Sequence, residues 1–406
     1  MRLVSLQLEE FRGYRHAAFE LPAPGLRLFG ANAAGKTSIL EAIYLLATMR
    51  SPRASLDAEM INWESGQEYQ VAPYARVVAD LETEERAHRI EISISQDVEG
   101  SNAARKRVRL DGRGRRVVDV VGTLKVVLFT PEDLSLVLGS PSVRRRYLDI
   151  SISLLDPAYI RALSRFNRVL EQRNSLLKDL ARRRAGSSGN PAEELQYWDG
   201  EIVTYGSYII AARLRYVAGL SRRASEEFEQ LSLPGSDFSV EYRSTLPLSG
   251  GLIDRITEGS EPDAQVFVSR AFEAALLERR DDELRRGVTL IGPHRDDIAF
   301  ELAGHDLASF GSRGQQRLGV VATKLAELYQ VSAISSEQPV LLLDDVLSEL
   351  DPIHQKRLLD AVAAAGCQMV ITATDKTLLD QPLLQDLPFT EAEGGAVTVE
   401  PSATHD

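Results

Sequence analysis

Residues Gly30-Ala31-Asn32-Ala33-Ala34-Gly35-Lys36-Thr37-Ser38 fill every fixed position of the pattern G-x-x-x-x-G-K-[ST], and no other stretch limits the possible folds as severely. The pattern carries chemistry only between a strand and a helix. Leu26-Arg27-Leu28-Phe29 alternates as a short strand does, and Ile39, Leu40, Ile43, Leu46 and Ala47 recur at helical spacing between Lys36 and Met49. In that setting the small residues let backbone N–H groups turn inward around phosphates, and the helix N-terminus adds partial positive charge. Lys36 would reach the β- and γ-phosphates of a nucleoside triphosphate, and the Thr37 hydroxyl would ligate Mg²⁺. The alternative is a glycine-rich turn without a ligand, which the flanking strand and helix argue against.

Such a site needs carboxylates from another strand. Val340-Leu341-Leu342-Leu343-Asp344-Asp345 reads as a buried parallel strand ending in two of them. Asp344 would hold Mg²⁺, directly or through water, and Asp345 would orient the attacking water. Aspartates can also end a strand merely to cap the next helix. Phe310-Gly311-Ser312-Arg313-Gly314-Gln315-Gln316-Arg317 leads into an apolar-periodic helix from Leu318 to Tyr329, a second helix entry suited to a γ-phosphate. Taken alone, that entry is a common feature.

The rest of the chain divides by periodicity. Leu3 to Leu8 reads as a strand, followed by Arg12, which either meets a phosphate or is a surface charge on a turn. From Val71 to Phe129 the pattern is mainly β, with strands at Ala75–Leu81, Arg89–Ile94, Lys106–Leu110 and Lys125–Phe129 and a hairpin turn at Asp111-Gly112. The hairpin carries Arg105, Lys106, Arg107, Arg109, Arg113, Arg115 and Arg116. Such a surface suits a DNA backbone and equally blocks edge-to-edge strand pairing. Ser140-Pro141 starts a helix through Arg144-Arg145-Arg146, which cannot all face one way.

After Pro157 long helices take over. Leu163, Phe166, Leu170, Leu177 and Leu180 follow a heptad spacing that Arg173 interrupts, with a turn expected over residues 186–191. Further helices are expected over about 193–231 and 262–286, with a short strand at Phe238–Tyr242 between them. The first helix is a basic arm: Arg161, Arg165, Arg168, Arg173, Lys178, Arg182, Arg183 and Arg184 outnumber Glu171 and Asp179. It is either a DNA-contacting face or a solvated one. These features give three blocks: 1–155 as the N-terminal part of the nucleotide-binding core, 156–286 as an inserted helical arm, and 287–406 as the rest of the core.

Composition bears on location and partners. The 406 residues are 44% hydrophobic and 26% charged, with one cysteine, Cys367; this is an ordinary globular profile without a disulfide framework. Neither a signal-peptide core nor an 18-residue apolar run is present, so a cytoplasmic protein with no membrane partner is expected. The net charge of −12 does not exclude DNA, because affinity follows local basic patches.

Together, the Gly30–Ser38 loop, the signature-like Ser312-Arg313-Gly314-Gln315-Gln316, the Asp344-Asp345 strand and Ser348-Glu349-Leu350-Asp351 resemble an ABC-type ATPase head of the SMC and Rad50 kind. Within that group Pro131–Val137, Arg144–Asp149 and Gly292–Asp297 are similar to motifs of the RecF family of bacterial DNA replication and repair proteins, and the likeness runs from Leu6 to Thr374. The resemblance implies an α/β fold: an ABC-type P-loop head with mixed sheets plus the helical arm. It implies ATP and Mg²⁺ as cofactors, with Lys36 and Thr37 of one protomer facing Ser312, Gly314 and Gln315 of a second. An ATP-dependent homodimer would bind double-stranded and gapped DNA. RecO and RecR would be its partners, RecA its indirect client, and homologous recombination and the SOS response its setting. Arg12 would contact nucleotide phosphate, and Asp345 stands where a catalytic glutamate is usual, which implies slow, switch-like hydrolysis.

In place of a Q-loop glutamine the chain offers Thr130, Glu132 and Asp133, and near the switch-histidine position it offers Thr374 and Asp375. A transporter nucleotide-binding subunit is the alternative. Against it stand the separation of about 275 residues between Lys36 and Ser312 and the basic character of the insertion. An SMC-like organiser would need a longer arm, since a 30-residue helix spans only about 45 Å.

Overall fold

The computed structural model describes residues 1–67, 71–96, 104–183, 190–232, 235, 237–258, 261–393 and 396–399; most of the turn expected over 186–191, and Arg184, lie outside them. The chain forms two compact units, one of Met1–Asp133, Gln230–Leu233 and Val321–Asp406, the other of Leu134–Glu229 and Pro234–Val320.

The first unit is built on two six-stranded sheets. One is antiparallel, in the order β2 (Tyr14–Glu20), β1 (Arg2–Phe11), β4 (Tyr74–Glu82), β5 (Ala87–Gln96), β6 (Ala104–Leu110), β7 (Arg113–Arg115). Period-two alternation buries Leu6, Leu8, Val77, Ala79, Leu81, Ile90, Ile92, Ile94 and Val108. The β6–β7 turn has φ 54° at Asp111 and 75° at Gly112, the paired left-handed geometry that matches hairpin twist.

The other sheet runs β15 (Ala396–Val399), β14 (Phe389–Glu393), β3 (Gly25–Phe29), β13 (Met369–Ala373), β12 (Val340–Asp344), β8 (Val126–Phe129), parallel except at β15. Its strands β8, β12 and β13 are buried throughout, which is why they read as unbroken apolar runs. Helix α1 (Lys36–Thr48) packs on strands of both sheets, so Leu40, Leu45 and Ala47 are as buried as Ile39 and Ile43. Each large apolar side chain buried there contributes roughly 1.5–3 kcal/mol.

The second unit holds α2 (Pro141–Leu155), α3 (Pro157–Arg183), α4 (Pro191–Leu231), α5 (Gly250–Glu258), α6 (Glu261–Arg286) and a sheet of β11 (His305–Asp306), β10 (Asp297–Leu302) and β9 (Phe238–Arg243). Helix α5 escaped the sequence reading because it opens on Gly250-Gly251. Helix α7 (Arg313–Ser335) begins in this unit and continues into the first, which also contains α8 (Pro352–Ala365).

The arm is expected to begin at residue 156, and the compact unit that holds these helices comprises Leu134–Glu229 and Pro234–Val320. Long-range ion pairs explain the difference. Arg144 grips Asp297 with two bonds of 2.7 Å and Arg145 donates to the Asp296 carbonyl at 3.0 Å, tying α2 to β10. Buried Arg213 donates to Asp149 at 2.7 Å and to the Pro293 carbonyl at 2.6 Å. Within the arginine run, Arg144 therefore serves an internal carboxylate and Arg145 a backbone carbonyl. Ser140 occupies the N-cap of α2, but its hydroxyl bonds the Ser142 hydroxyl (2.7 Å) and caps no backbone N–H.

The buried stripe of α3 also corrects the reading. It runs Tyr159, Ala162, Phe166, Val169, Arg173, Leu177, Leu180, leaving Leu163 and Leu170 half-buried. Arg173 lies in the seam at 0% exposure, bonded to Glu283 (2.6 Å), Thr289 Oγ1 (2.7 Å) and Asp199 (2.9 Å). It leaves the basic surface, because a buried guanidinium is tolerable only when paired.

His294 is largely buried in the second unit. Its ring lies 5.8 Å from Phe166, Nε2 is 3.2 Å from the Thr289 carbonyl, and Nδ1 has no hydrogen-bond partner among the described residues. Burial pushes its pKa down to about 4 from an ordinary 6.5, helped by the charges of Arg295, Arg145 and Arg173 and opposed by the Thr289 bond. The unfolded chain takes up this proton first, so the contribution is complete above pH 6.5 and is lost as pH falls towards 4, by about 3 kcal/mol. His294→Gln, which keeps an N–H for Thr289, flattens the loss of melting temperature across that window; an unchanged slope would contradict this.

Candidate functional site

The site is assembled at the carboxyl ends of the parallel strands, where α/β sheets place ligands. β3 delivers the Gly30–Gly35 loop and then α1, β12 delivers Asp344 and Asp345, and β13 lies between β3 and β12. Register puts Thr372 of β13 opposite both Leu28 and Asp344. The Thr372 hydroxyl donates to Asp344 Oδ1 at 2.8 Å, and Thr37 Oγ1 donates to the same oxygen at 3.0 Å. Asp344 is 8% exposed. Burial raises its pKa against the two hydroxyl donors, with Glu132 pushing the same way as burial and Arg53 opposing. Thr37 and Asp344, expected to share a metal, are thus already joined.

Lys36 is 6% exposed and donates to the carbonyls of Gly30 (2.6 Å) and Ala31 (2.9 Å). Burial lowers its pKa, while the charges of Asp345 and Asp344 support the ammonium. Asn32 and Ala33 are exposed, Ala34 and Ser38 half-buried, and Ser38 N–H donates to the Gly35 carbonyl at 3.0 Å as the helix begins. Gly35 holds φ at +101°, and a Cβ there would lie 2.5 Å from the Tyr14 hydroxyl. Conformation and space both require glycine. That hydroxyl has no hydrogen-bond partner among the described residues, and burial raises its pKa to about 12.

Asp345 has left-handed backbone geometry (φ 52°, ψ 25°), a strain of order 1 kcal/mol that recurs at functional sites. Its N–H donates to Thr372 Oγ1 at 3.0 Å, and its buried Oδ1 has no partner among the described residues. An orphaned carboxylate oxygen beside a phosphate-type loop is free to accept a proton from water. Arg12 is held elsewhere: it grips Glu41 at 2.9 and 2.7 Å and donates to the Glu59 carbonyl at 2.6 Å. Of the three groups after Phe129, Asp133 accepts from the Thr130 N–H at 2.7 Å, and Glu132 is the one whose charge reaches Asp344. Asp375 caps a short helix through the Thr377 N–H.

In the second unit, Ser312 and Gln315 form a reciprocal capping box at the start of α7: Ser312 N–H donates to Gln315 Oε1 (2.8 Å) and Gln315 N–H to Ser312 Oγ (3.3 Å). Buried Gln316 donates to the Leu307, Ala308 and Gly311 carbonyls. Gly314 is exposed, and a Cβ there would meet only Ser312 Oγ, at 4.0 Å. In the first unit, Ser348 Oγ donates to the Asp345 carbonyl and Asp351 caps α8.

The family model described as RecF/RecN/SMC N terminal domain matches residues 2–386. Over 97% of the chain, 47% of residues are identical to the DNA replication and repair protein RecF of Thermomicrobium roseum, 99% of which is covered. The chain belongs to the RecF family. The RecF of Chloroflexus aggregans is 42% identical over 92% of this chain and 94% of its own. Among solved structures, a RecF described as a recombination mediator of the RecFOR pathway, with ATP, superimposes with a TM-score of 0.81 at 26% identity, covering 98% of this chain and 97% of that one. An SMC head bound to the C-winged helix domain of ScpA reaches 0.54 at 16% identity, covering 100% and 98%, a likeness of fold. The ABC-type ATPase head expected from the motifs is therefore the fold. RecF membership sets aside the transporter alternative, and among the described residues no helix is long and apolar enough to cross a membrane.

The basic residues of this RecF-family chain divide. Lys106 points to the opposite side of β6 from its arginine neighbours, bonded to Asp57 (2.7 Å) and the Met49 carbonyl (2.8 Å), which removes it from the expected DNA-contacting set. Arg105, Arg107 and Arg109 are exposed, with Arg109 3.5 Å from Glu91. Arg161, Arg165 and Arg168 are exposed on α3, and no hydrogen bond or ion pair among the described residues engages them. Thr372 and Tyr14 carry no local pattern that marks them; only strand order and packing bring them to Asp344 and Gly35, while Glu41, buried on α1, is marked only by its bonds to Arg12.

Proposed function

We propose that this chain is an ATP-dependent DNA-binding recombination mediator for single-stranded gaps and stalled forks, one that closes as a dimer on double-stranded DNA beside a gap and uses slow hydrolysis as a switch. The observation that carries its nucleotide-dependent part is the shared Asp344 oxygen: Thr37 and Thr372 converge on a buried carboxylate, with Lys36 nearby and the unpartnered Asp345 Oδ1 on the next residue. These residues fit Mg²⁺ and ATP. Thr37 and Asp344 would hold the metal, with Glu132 the further carboxylate nearby; bound ATP supplies a phosphoanhydride whose γ-phosphoryl group passes to water. Lys36 balances phosphate charge, the loop N–H groups orient it, and Asp345 accepts the proton of the water. Aspartate reaches less far than glutamate, which suits a slow switch. The solved RecF relative that holds ATP supports the nucleotide, and the RecFOR description of that relative supports RecO and RecR as partners; with them this chain would help to load RecA.

Exposed Ser312, Gly314 and Gln315, with open space over Gly314, suit recognition of nucleotide bound by a second protomer. Ser312→Arg tests this by light scattering and by anisotropy of labelled gapped duplex at one salt concentration. Wild type with ATP and Mg²⁺ dimerises and binds DNA at least tenfold more tightly than without ATP; Ser312→Arg stays monomeric, loses that gain, and still binds ATP. Ser312→Ala loses the same cap, worth about 1 kcal/mol, without the bulk, and serves as control. Normal dimerisation of Ser312→Arg would refute the two-protomer site. Absence of DNA binding by wild type in every nucleotide state would refute the DNA reading.

A further inference from the structure

Between α3 and α4 of the second unit lies an open groove of about 380 Å³, lined by Ala158, Arg161, Ala162, Arg165, Thr204, Tyr205, Tyr208 and Gln265. Its character is split. The alanine methyls and the two tyrosine rings form an apolar, aromatic lining, while Arg161 and Arg165 supply cations from adjacent turns of one helix face. Arg168 extends the same stripe to about 10 Å.

The surrounding bonds set these cations apart. Elsewhere on α3, Arg173 is buried in an ion-pair network, Arg183 reaches Glu194 and Arg182 lies near Asp179. Arg161, Arg165 and Arg168 have no such partner among the described residues. The nearby carboxylate, Asp156, is committed to the Tyr208 hydroxyl (2.6 Å) and the Ala158 N–H (2.7 Å). Those bonds fix the Tyr208 ring, and no ion pair among the described residues ties Asp156 to the arginines. Gln265 donates to the Thr204 carbonyl at 3.3 Å, and its own carbonyl oxygen has no described partner.

We infer that this groove takes one splayed nucleotide of single-stranded DNA, its phosphates on Arg161 and Arg165 and its base against Tyr205. The inference rests on the DNA-binding reading above and adds to it a site and an aromatic contact. A duplex keeps its bases stacked inside and has no use for an aromatic-lined recess, whereas single strands are held by cations along the backbone combined with aromatic stacking. A mediator acting at gaps meets both strand types at one junction, and this groove would recognise the unpaired one.

The test uses the full chain with ATP and Mg²⁺ and two labelled probes of equal length, oligothymidylate and a blunt duplex. Tyr205→Ala lowers affinity for oligothymidylate about tenfold, the scale of a lost base–aromatic stack, and changes duplex affinity less than twofold, while Tyr205→Phe keeps wild-type binding. Arg161→Gln with Arg165→Gln reduces the slope of log affinity against log salt on the single strand by about 1.4, two phosphates' worth. Unchanged single-strand binding in Tyr205→Ala, or equal losses on both probes, overturns the inference while leaving the DNA-binding reading intact. If wild type binds neither probe, the broader reading fails first.

Discussion

Lys36→Met is expected to weaken ATP binding at least a hundredfold and with it to abolish ATP-dependent dimerisation. The ammonium is buried at the loop, its charge supported by Asp344 and Asp345 and its protons on the Gly30 and Ala31 carbonyls. Removing one charged hydrogen-bond donor from a phosphate site costs about 3 kcal/mol, which is the hundredfold. Methionine fills a similar volume, so the melting temperature should change little. Titration calorimetry with ATP and Mg²⁺ decides it: an affinity within threefold of wild type would show that the loop does not hold the triphosphate through Lys36.

Asp345→Asn should separate binding from turnover. The amide preserves shape and the backbone bond to Thr372 Oγ1 but cannot accept the proton of water. Loss of a general base costs about 10²- to 10⁴-fold, so phosphate release should fall at least a hundredfold while ATP affinity stays near wild type and the ATP-bound dimer persists longer. Single-turnover phosphate release beside light scattering measures both. Wild-type turnover would place the water-activating group elsewhere.

The two variants touch residues that were legible at once, for a physical reason. A phosphate loop is a local object: its glycines, lysine and threonine are contiguous, and its strand and helix declare themselves by periodicity. Other parts were not legible. Arg173 and Lys106 read as basic surface because charge shows in a sequence and burial does not; Glu283, Asp199 and Asp57, which hold them, are distant or fall outside any local pattern. On α3 the seam keeps Phe166, Leu177 and Leu180 but takes Ala162 and Val169 in place of Leu163 and Leu170, and it includes Arg173, which an apolar pattern does not count.

By itself the sequence determined the loop, the carboxylate strand, the helical character of the middle of the chain and the motifs of the RecF family. Only the tertiary structure decided that β13 lies between the two motif strands and hands Thr372 to Asp344, that Glu41 and not the loop holds Arg12, and that the helical unit comprises Leu134–Glu229 and Pro234–Val320. Local chemistry is written in neighbouring residues. Strand order and buried ion pairs join residues tens to hundreds of positions apart, and their energy exists only once the chain has brought them together.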